Sequence, residues 1–150
     1  MGFSFSLRLD CGASYNYNTA QQFLKNLDGL SIEFAADPVM TASELVRLSE
    51  TTNVPLAAGK ILASVKDAES LISGSNVKYL IINPTLTGAF TDTIKLISFA
   101  APAGKKIIIK SGFENILGKD GLVMLAGYTG HTSAHSIGII SYFDENLFPD

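Results

Sequence analysis

Five polar residues stand where apolar runs give way to loops: Asp10, Lys60, Asn83, Ser111 and Glu114. Asp10 offers a carboxylate that can ligate a divalent cation, and it equally suits the start of a turn before Gly12. Lys60 offers an ammonium group that can neutralise Asp10 or bind an anion, or sit solvated on its loop. Asn83 can donate and accept hydrogen bonds but cannot serve as a base at neutral pH. Ahead of Pro84 it reads as a turn-former bonding nearby backbone, with orientation of a ligand as the rival role. Glu114 reads as an acid satisfying a helix N-terminus. His131 and His135 lie four apart, a zinc spacing on a helix, but Gly130, Thr132 and Ser133 disfavour a helix and no third ligand is evident. Cys11 has no histidine nearby in sequence and reads as a small buried side chain. None of these residues is assigned as catalytic from its type alone.

Such residues act together only if a repeated scaffold delivers them to one place. Residues 3–9 alternate apolar and polar, a strand pattern that ends at Asp10. Asn18 reads as the cap of a helix carrying Ala20, Phe23, Leu24 and Leu27. A second strand, 30–36, ends at Asp37-Pro38, and Thr41 with Glu44 forms a capping box ahead of Leu45, Val46 and Leu48. A third strand, 54–58, runs into Gly59-Lys60, and a helix follows over 65–73. The fourth strand ends at Asn83-Pro84, with a small loop around Gly88 and a helix over 91–101 that places Ile94, Ile97 and Phe99. The fifth strand is 107–109, followed by a loop over 111–118, a helix over 122–126 and a last short strand or turn over 137–142.

Strands alternating with helices imply a parallel sheet with right-handed crossovers. The expected fold is therefore α/β, a single partial (β/α) barrel of about six parallel strands with helices outside. An open doubly wound sheet is the runner-up, and the lack of a Gly-rich phosphate fingerprint after the first strand counts against a dinucleotide-binding version of it.

Composition narrows the function classes. The chain has 150 residues, 47% hydrophobic and 17% charged, which suits strands buried on both faces. A net charge of -3 argues against nucleic acid or an anionic membrane as partner, since either favours a basic surface. One cysteine permits no internal disulfide, no run reaches the roughly 18 apolar residues of a membrane helix, and the start lacks a signal-peptide pattern. A soluble, cytoplasmic protein is the simplest expectation.

Several of the strand ends resemble a family. Leu7-Arg8-Leu9-Asp10-Cys11-Gly12, Ile32 through Pro38, Pro55 through Lys60 and Ile81-Ile82-Asn83-Pro84 resemble successive barrel-strand motifs of the enolase superfamily. Phe113 through Gly118 and the tail His135 through Glu145 are most similar to its o-succinylbenzoate synthase branch, Mg²⁺-dependent carbon–oxygen lyases of menaquinone synthesis that dehydrate a cyclohexadiene carboxylate. The resemblance covers nearly the whole chain but only the later two-thirds of such a barrel. It implies Mg²⁺ held by three carboxylates on successive strands and two lysines facing across the site. The first ligand falls on Asp10 and is present. The second falls on Ala36, the third on Gly59 with Lys60 after it, and the strand-borne lysine on Asn83. Ser111 and Glu114 fall on the loop that closes over substrate. Side chains alternate along a strand, so Glu33 and Asp37 are expected to point away from the face of Ala36 unless a bulge re-aims them.

The expectation that follows is a divergent or partial o-succinylbenzoate synthase-like protein, non-catalytic as an isolated chain, without Mg²⁺, binding a small carboxylate or a partner. The alternative is a lyase that acquires Mg²⁺ and activity only when a second chain completes the site. A barrel closes with about eight strands, so an open edge is expected. Phe3 and Phe5 would sit on that edge, to be covered in a homo-oligomer or by a chain supplying the missing strands and capping domain.

Overall fold

The computed structural model describes residues 5–62, 65–88, 90–112, 114, 116–130 and 132–138. Phe3 and most of the 137–142 segment lie outside the described residues. The strands are β1 (Leu7–Asp10), β2 (Ile32–Ala36), β3 (Leu56–Ala58), β4 (Tyr79–Ile82) and β5 (Lys106–Ile109). They are parallel and lie side by side in chain order, a curled half-barrel wall with no order reversal of the kind a doubly wound sheet has. The helices between and after them are α1 (Tyr17–Asn26), α2 (Ala42–Ser49), α3 (Val65–Gly74), α4 (Pro84–Thr87), α5 (Phe90–Ala100) and α6 (Ile116–Tyr128).

Alternation along each strand divides the apolar residues between two faces. Leu56, Ala58, Leu80, Ile82, Ile107 and Ile109 face outward and bury against Leu45, Leu48, Leu71, Leu96 and Leu122 of the helices. Ala57, Tyr79 and Ile108 face inward, where they meet Phe34 and Ala36, and the Phe34 and Tyr79 rings pack at a tilt of 43° with centroids 4.8 Å apart. The outer layer is thick and the inner one thin. That asymmetry leaves hollow space at the strand ends, where Ala36, Ala57 and Gly59 carry little side chain.

Several local expectations change. The α1 cap is Asn16, whose Oδ1 accepts from the Thr19 amide at 3.0 Å; Asn18 already lies in the first turn, where its side chain cannot cap. Thr41 caps α2 as expected, the Glu44 amide donating to its hydroxyl, but the return bond to the Glu44 carboxylate comes from that hydroxyl instead of the Thr41 amide of a full box. On α5 the buried stripe is Thr93, Leu96, Ile97 and Ala100, spaced i, i+3, i+4 and i+7, so Ile94 and Phe99 are left exposed. The loop after β4 contains α4, and α6 begins six residues earlier than its apolar centre suggests, at Ile116 rather than residue 122.

Beyond β5, Ser136 makes a parallel bridge with Lys110 in place of a described sixth strand. The Ser136 amide donates to the Ile109 carbonyl, and the Ser111 amide donates to the Ser136 carbonyl. At the other side, β1 pairs only with β2 among the described residues, and Phe5 and Leu7 are exposed there. Arg8 reaches across from β1 and donates to the Ala134 carbonyl at 2.6 Å, tying the two sides of the half-barrel together.

Candidate functional site at the strand ends

The C-terminal ends of β1 to β5 open into a cavity of about 390 Å³. Asp10, Lys60 and Asn83 all line it, together with Asp37 and Lys110, which residue type and spacing do not single out. Ser111 and Glu114 are not in its lining. A second cavity of about 220 Å³ runs down the inner face past Arg8, Phe34 and Ile108, and shares Asp10 and Lys110 with the first.

Asp10 Oδ1 accepts from the Gly12 amide at 3.0 Å, so the residue does form its turn. Its Oδ2 lies 3.6 Å from Lys110 Nζ. The cation beside Asp10 is therefore Lys110, on the far side of the sheet, and not Lys60. Lys60 Nζ donates instead to the Gly12 carbonyl at 3.0 Å. Lys110 follows β5 directly, and the Ile82–Ile109 pairing sets it level with Asn83 on β4. The signal that could have found it is its place as the first residue after the apolar run of β5, one position ahead of Ser111.

Asp37 does not point away. Its φ of +46° lies in the left-handed region, which turns its side chain toward β3. There Oδ1 accepts from the Gly59 amide at 2.8 Å and Oδ2 from the Lys60 amide at 2.9 Å. The residue is 4% exposed, and burial raises its pKa against the opposing pull of those two amides. Glu33 is re-aimed as well. The pairing of β1 with β2 steps from Leu7–Ile32 to Arg8–Phe34, skipping Glu33. Arg8 Nε and Nη2 each donate to Glu33 at 2.7 Å, a two-pronged pair beneath which lies the Phe34 ring, 5.1 Å from the guanidinium carbon. The hydrogen bonds from Arg8 hold the Glu33 carboxyl below its usual pKa despite partial burial.

Asn83 caps α4, its Oδ1 accepting from the Thr85 amide at 3.1 Å, with Pro84 in the first helical position. Glu114 does not serve as an N-terminal acid of α6. Its Oε1 accepts from the Thr85 hydroxyl at 2.7 Å and the Gly112 amide at 2.9 Å, joining the loop after β5 to the loop after β4. Burial would raise its pKa, but the hydrogen bonds from Thr85, Gly112 and its own amide outweigh that and lower it. Ser111 is buried, and its hydroxyl donates to the Ser136 carbonyl. His131 lies outside the described residues; His135 sits on an extended segment and accepts from the Ile109 amide through Nδ1 at 3.0 Å. Among the described residues no three His, Cys, Asp or Glu side chains cluster to hold a metal. The Cys11 thiol is pushed up to about 11 by burial and the charges of Asp10 and Asp37, so it is not an activated nucleophile.

The site thus has the position and outline of a barrel active site with an altered donor set. Positions 36 and 59 offer no side-chain oxygen, and both Asp37 oxygens are taken by amides. Asp10 is paired with an ammonium group.

Comparison with known proteins agrees with that outline. The chain is 32% identical over 135 residues to the o-succinylbenzoate synthase of Pasteurella multocida, a match that covers 84% of this chain and 39% of that protein. It is 28% identical over 145 residues to the o-succinylbenzoate synthase of Aliivibrio fischeri, covering 95% of this chain and 44% of the relative. The chain therefore spans less than half the length of these relatives. The fold matches the crystal structures of MenC from Desulfotalea psychrophila (TM-score 0.80, 21% identity, 89% of this chain and 38% of that one) and of a dipeptide epimerase from Enterococcus faecalis (TM-score 0.83, 21% identity, 91% and 40%). The enolase C-terminal domain-like profile matches residues 1–146, and the chain belongs to that family.

Proposed function

We propose that this chain is a divergent, o-succinylbenzoate synthase-like barrel portion that binds a small carboxylate at its strand ends and does not by itself catalyse the lyase reaction. The observation that carries this reading is the Lys110 ammonium 3.6 Å from Asp10, with Lys60 on the same cavity wall. A carbon acid beside a carboxylate loses its proton only when the resulting enediolate is held by strong positive charge, ordinarily a divalent ion. Mg²⁺ requires near-octahedral oxygen ligation, and the residues present do not fit it. Of the two carboxylates lining the cavity, Asp37 already accepts an amide on each oxygen and Asp10 faces a lysine. Nor does Asn83 supply a base. What remains is two ammonium groups and an amide around a partly apolar hollow, a set suited to a carboxylate with a small hydrophobic body.

Calorimetric titration tests both halves. Mg²⁺ is expected to give no binding heat; a micromolar site that Asp10→Ala abolishes would overturn the reading. Benzoate is expected to give a saturable heat that the Lys60→Ala/Lys110→Ala double variant loses, and no saturable heat would remove the carboxylate assignment.

A second reading is favoured by the edge of β1, which has no second strand partner among the described residues and where Phe5 is 73% exposed and Leu7 48% exposed. An unpaired edge with apolar side chains is a template for another strand. In this reading a second polypeptide, or a second copy, adds a strand there and supplies the ligands and lysine for Mg²⁺-dependent chemistry in a reducing, cytoplasmic setting. A strict monomer by light scattering at tens of micromolar would sink it.

A further inference from the structure

The Asp37 carboxylate and the glycine at position 59 occupy one volume between them. A Cβ built on Gly59 would lie 2.9 Å from Asp37 Oδ2 and 3.3 Å from Ile81 Cβ. The first distance is shorter than real Cβ contacts permit. The carboxylate cannot swing aside freely, because Asp37 is 4% exposed and each oxygen holds one amide, those of Gly59 and Lys60. Its own backbone is in the left-handed region at φ +46°, which an aspartate tolerates better than most residues.

We infer that Asp37 has taken over the space of the side chain at position 59, converting a would-be ligand position into an internal clamp between the ends of β2 and β3. Positions 37 and 59 are then a coupled pair. A side chain, and with it a metal ligand, returns to position 59 only when the Asp37 side chain is removed. The failure of the donor set to fit Mg²⁺ is on this account more than the loss of two carboxylates. The space a side chain at position 59 would need is taken by a buried carboxylate from the neighbouring strand end, each of whose oxygens holds an amide.

A double-mutant cycle on the whole chain tests this, read by denaturant unfolding without any ligand, so its outcome is independent of the carboxylate-binding proposal. The variants are Gly59→Ala, Asp37→Gly and their combination, with Asp37→Asn and Asp37→Asn/Gly59→Ala as the control pair. Gly59→Ala should lower the folding equilibrium constant about tenfold more in the wild-type background than in Asp37→Gly, within the range for contacting residues. The contact with Ile81 stays in both backgrounds and cancels. Asparagine keeps the volume and drops the charge, so Gly59→Ala should be as damaging in the Asp37→Asn background as in the wild type. Additive effects of Gly59→Ala and Asp37→Gly would overturn the inference, and so would equal relief by Asp37→Asn and Asp37→Gly. If Gly59→Ala alone does not fold, recovery of a folded protein in the Asp37→Gly combination supports the coupling, and failure of both refutes it.

Discussion

Arg8→Ala should loosen the half-barrel where its two sides meet. The guanidinium makes two hydrogen bonds to Glu33, one to the Ala134 carbonyl, and a face contact with Phe34. The Arg8 and Glu33 side chains are each 26% exposed, so solvent screens their attraction and the pair contributes about 1 kcal/mol, at the upper end for accessible pairs. The bond to Ala134 adds about 1 kcal/mol and the ring contact about 0.5 kcal/mol. Overlap among these contributions reduces the expected loss to about 2 kcal/mol, or about 4–8 °C in Tm for a domain of this size. Arg8→Lys keeps the charge but not the planar fork, and should forfeit more than half of the stabilisation. Urea denaturation gives the magnitude, and hydrogen exchange gives the location. The Ser136 amide, bonded to Ile109, should exchange faster in Arg8→Ala by a larger factor than amides of β3 or β4. A loss below about 0.5 kcal/mol, or Ser136 exchange unchanged relative to those strands, would refute the latch.

Asn16→Ala should cost about 1 kcal/mol by circular-dichroism melting, while Asn18→Ala costs a few tenths, because only Asn16 bonds an orphan amide of α1. Removal of the Thr85 hydroxyl by Thr85→Val should cost about 1 kcal/mol in urea denaturation, since Glu114 Oε1 then keeps the Gly112 amide but loses its hydroxyl donor. Carboxylates with opposite shifts give opposite pH slopes. Glu33 and Glu114, lowered in the fold, contribute stability that is present above their unfolded values and lost as pH falls through the folded ones. Asp37, raised, favours the folded state on the acid side and forfeits that contribution as pH rises from about 3.9 through its folded value. Unfolding free energies across that window should show Glu33→Gln flattening the acid-side fall and Asp37→Asn removing the opposing slope; the same change of slope in both variants would contradict the assignment. Lys110→Met should weaken benzoate binding while leaving stability within about 0.5 kcal/mol, since its ion pair is solvent-accessible.

The scaffold is legible because its signals are repetitive. Apolar runs of Ile and Leu, each ended by a polar residue or proline and followed by a helical stripe, locate all five strands to within a few residues. The Thr41 cap follows from a three-residue spacing and forms, although the reciprocal bond of a full box does not appear among the described bonds. What fails is alternation along β2 and just past its end. Neighbours of an inward Ala36 should face outward, yet Glu33 and Asp37 are both turned back. A register step does this for Glu33 and a left-handed φ for Asp37, and neither leaves a trace in hydrophobic periodicity. Lys110 and its contact with Asp10 depend on strand neighbours distant in sequence, so residue type alone points to Lys60 instead. The role of Glu114 is hidden for a related reason: its partner Thr85 lies 29 residues away, across two loops.

Substitution at a metal site ordinarily leaves buried polar groups without partners, and a site in that condition is costly. Here most polar groups around the strand ends are bonded to each other, and among the described residues Glu114 Oε2 is the one buried polar side-chain atom left without a partner. Asn83, where the resemblance would place a lysine, caps a short helix. The amides of Gly59 and Lys60 are satisfied by Asp37, and the Asp10 carboxylate is balanced by a lysine one strand beyond Asn83. Each of these bonds supports the fold locally. This local bonding leaves few free donors for an added cation. It also explains the form an experiment must take. Ala36→Glu and Gly59→Asp alone would set new carboxylates against an already satisfied network. Asp37 and Lys110 would have to change with them before the cavity could hold a divalent cation.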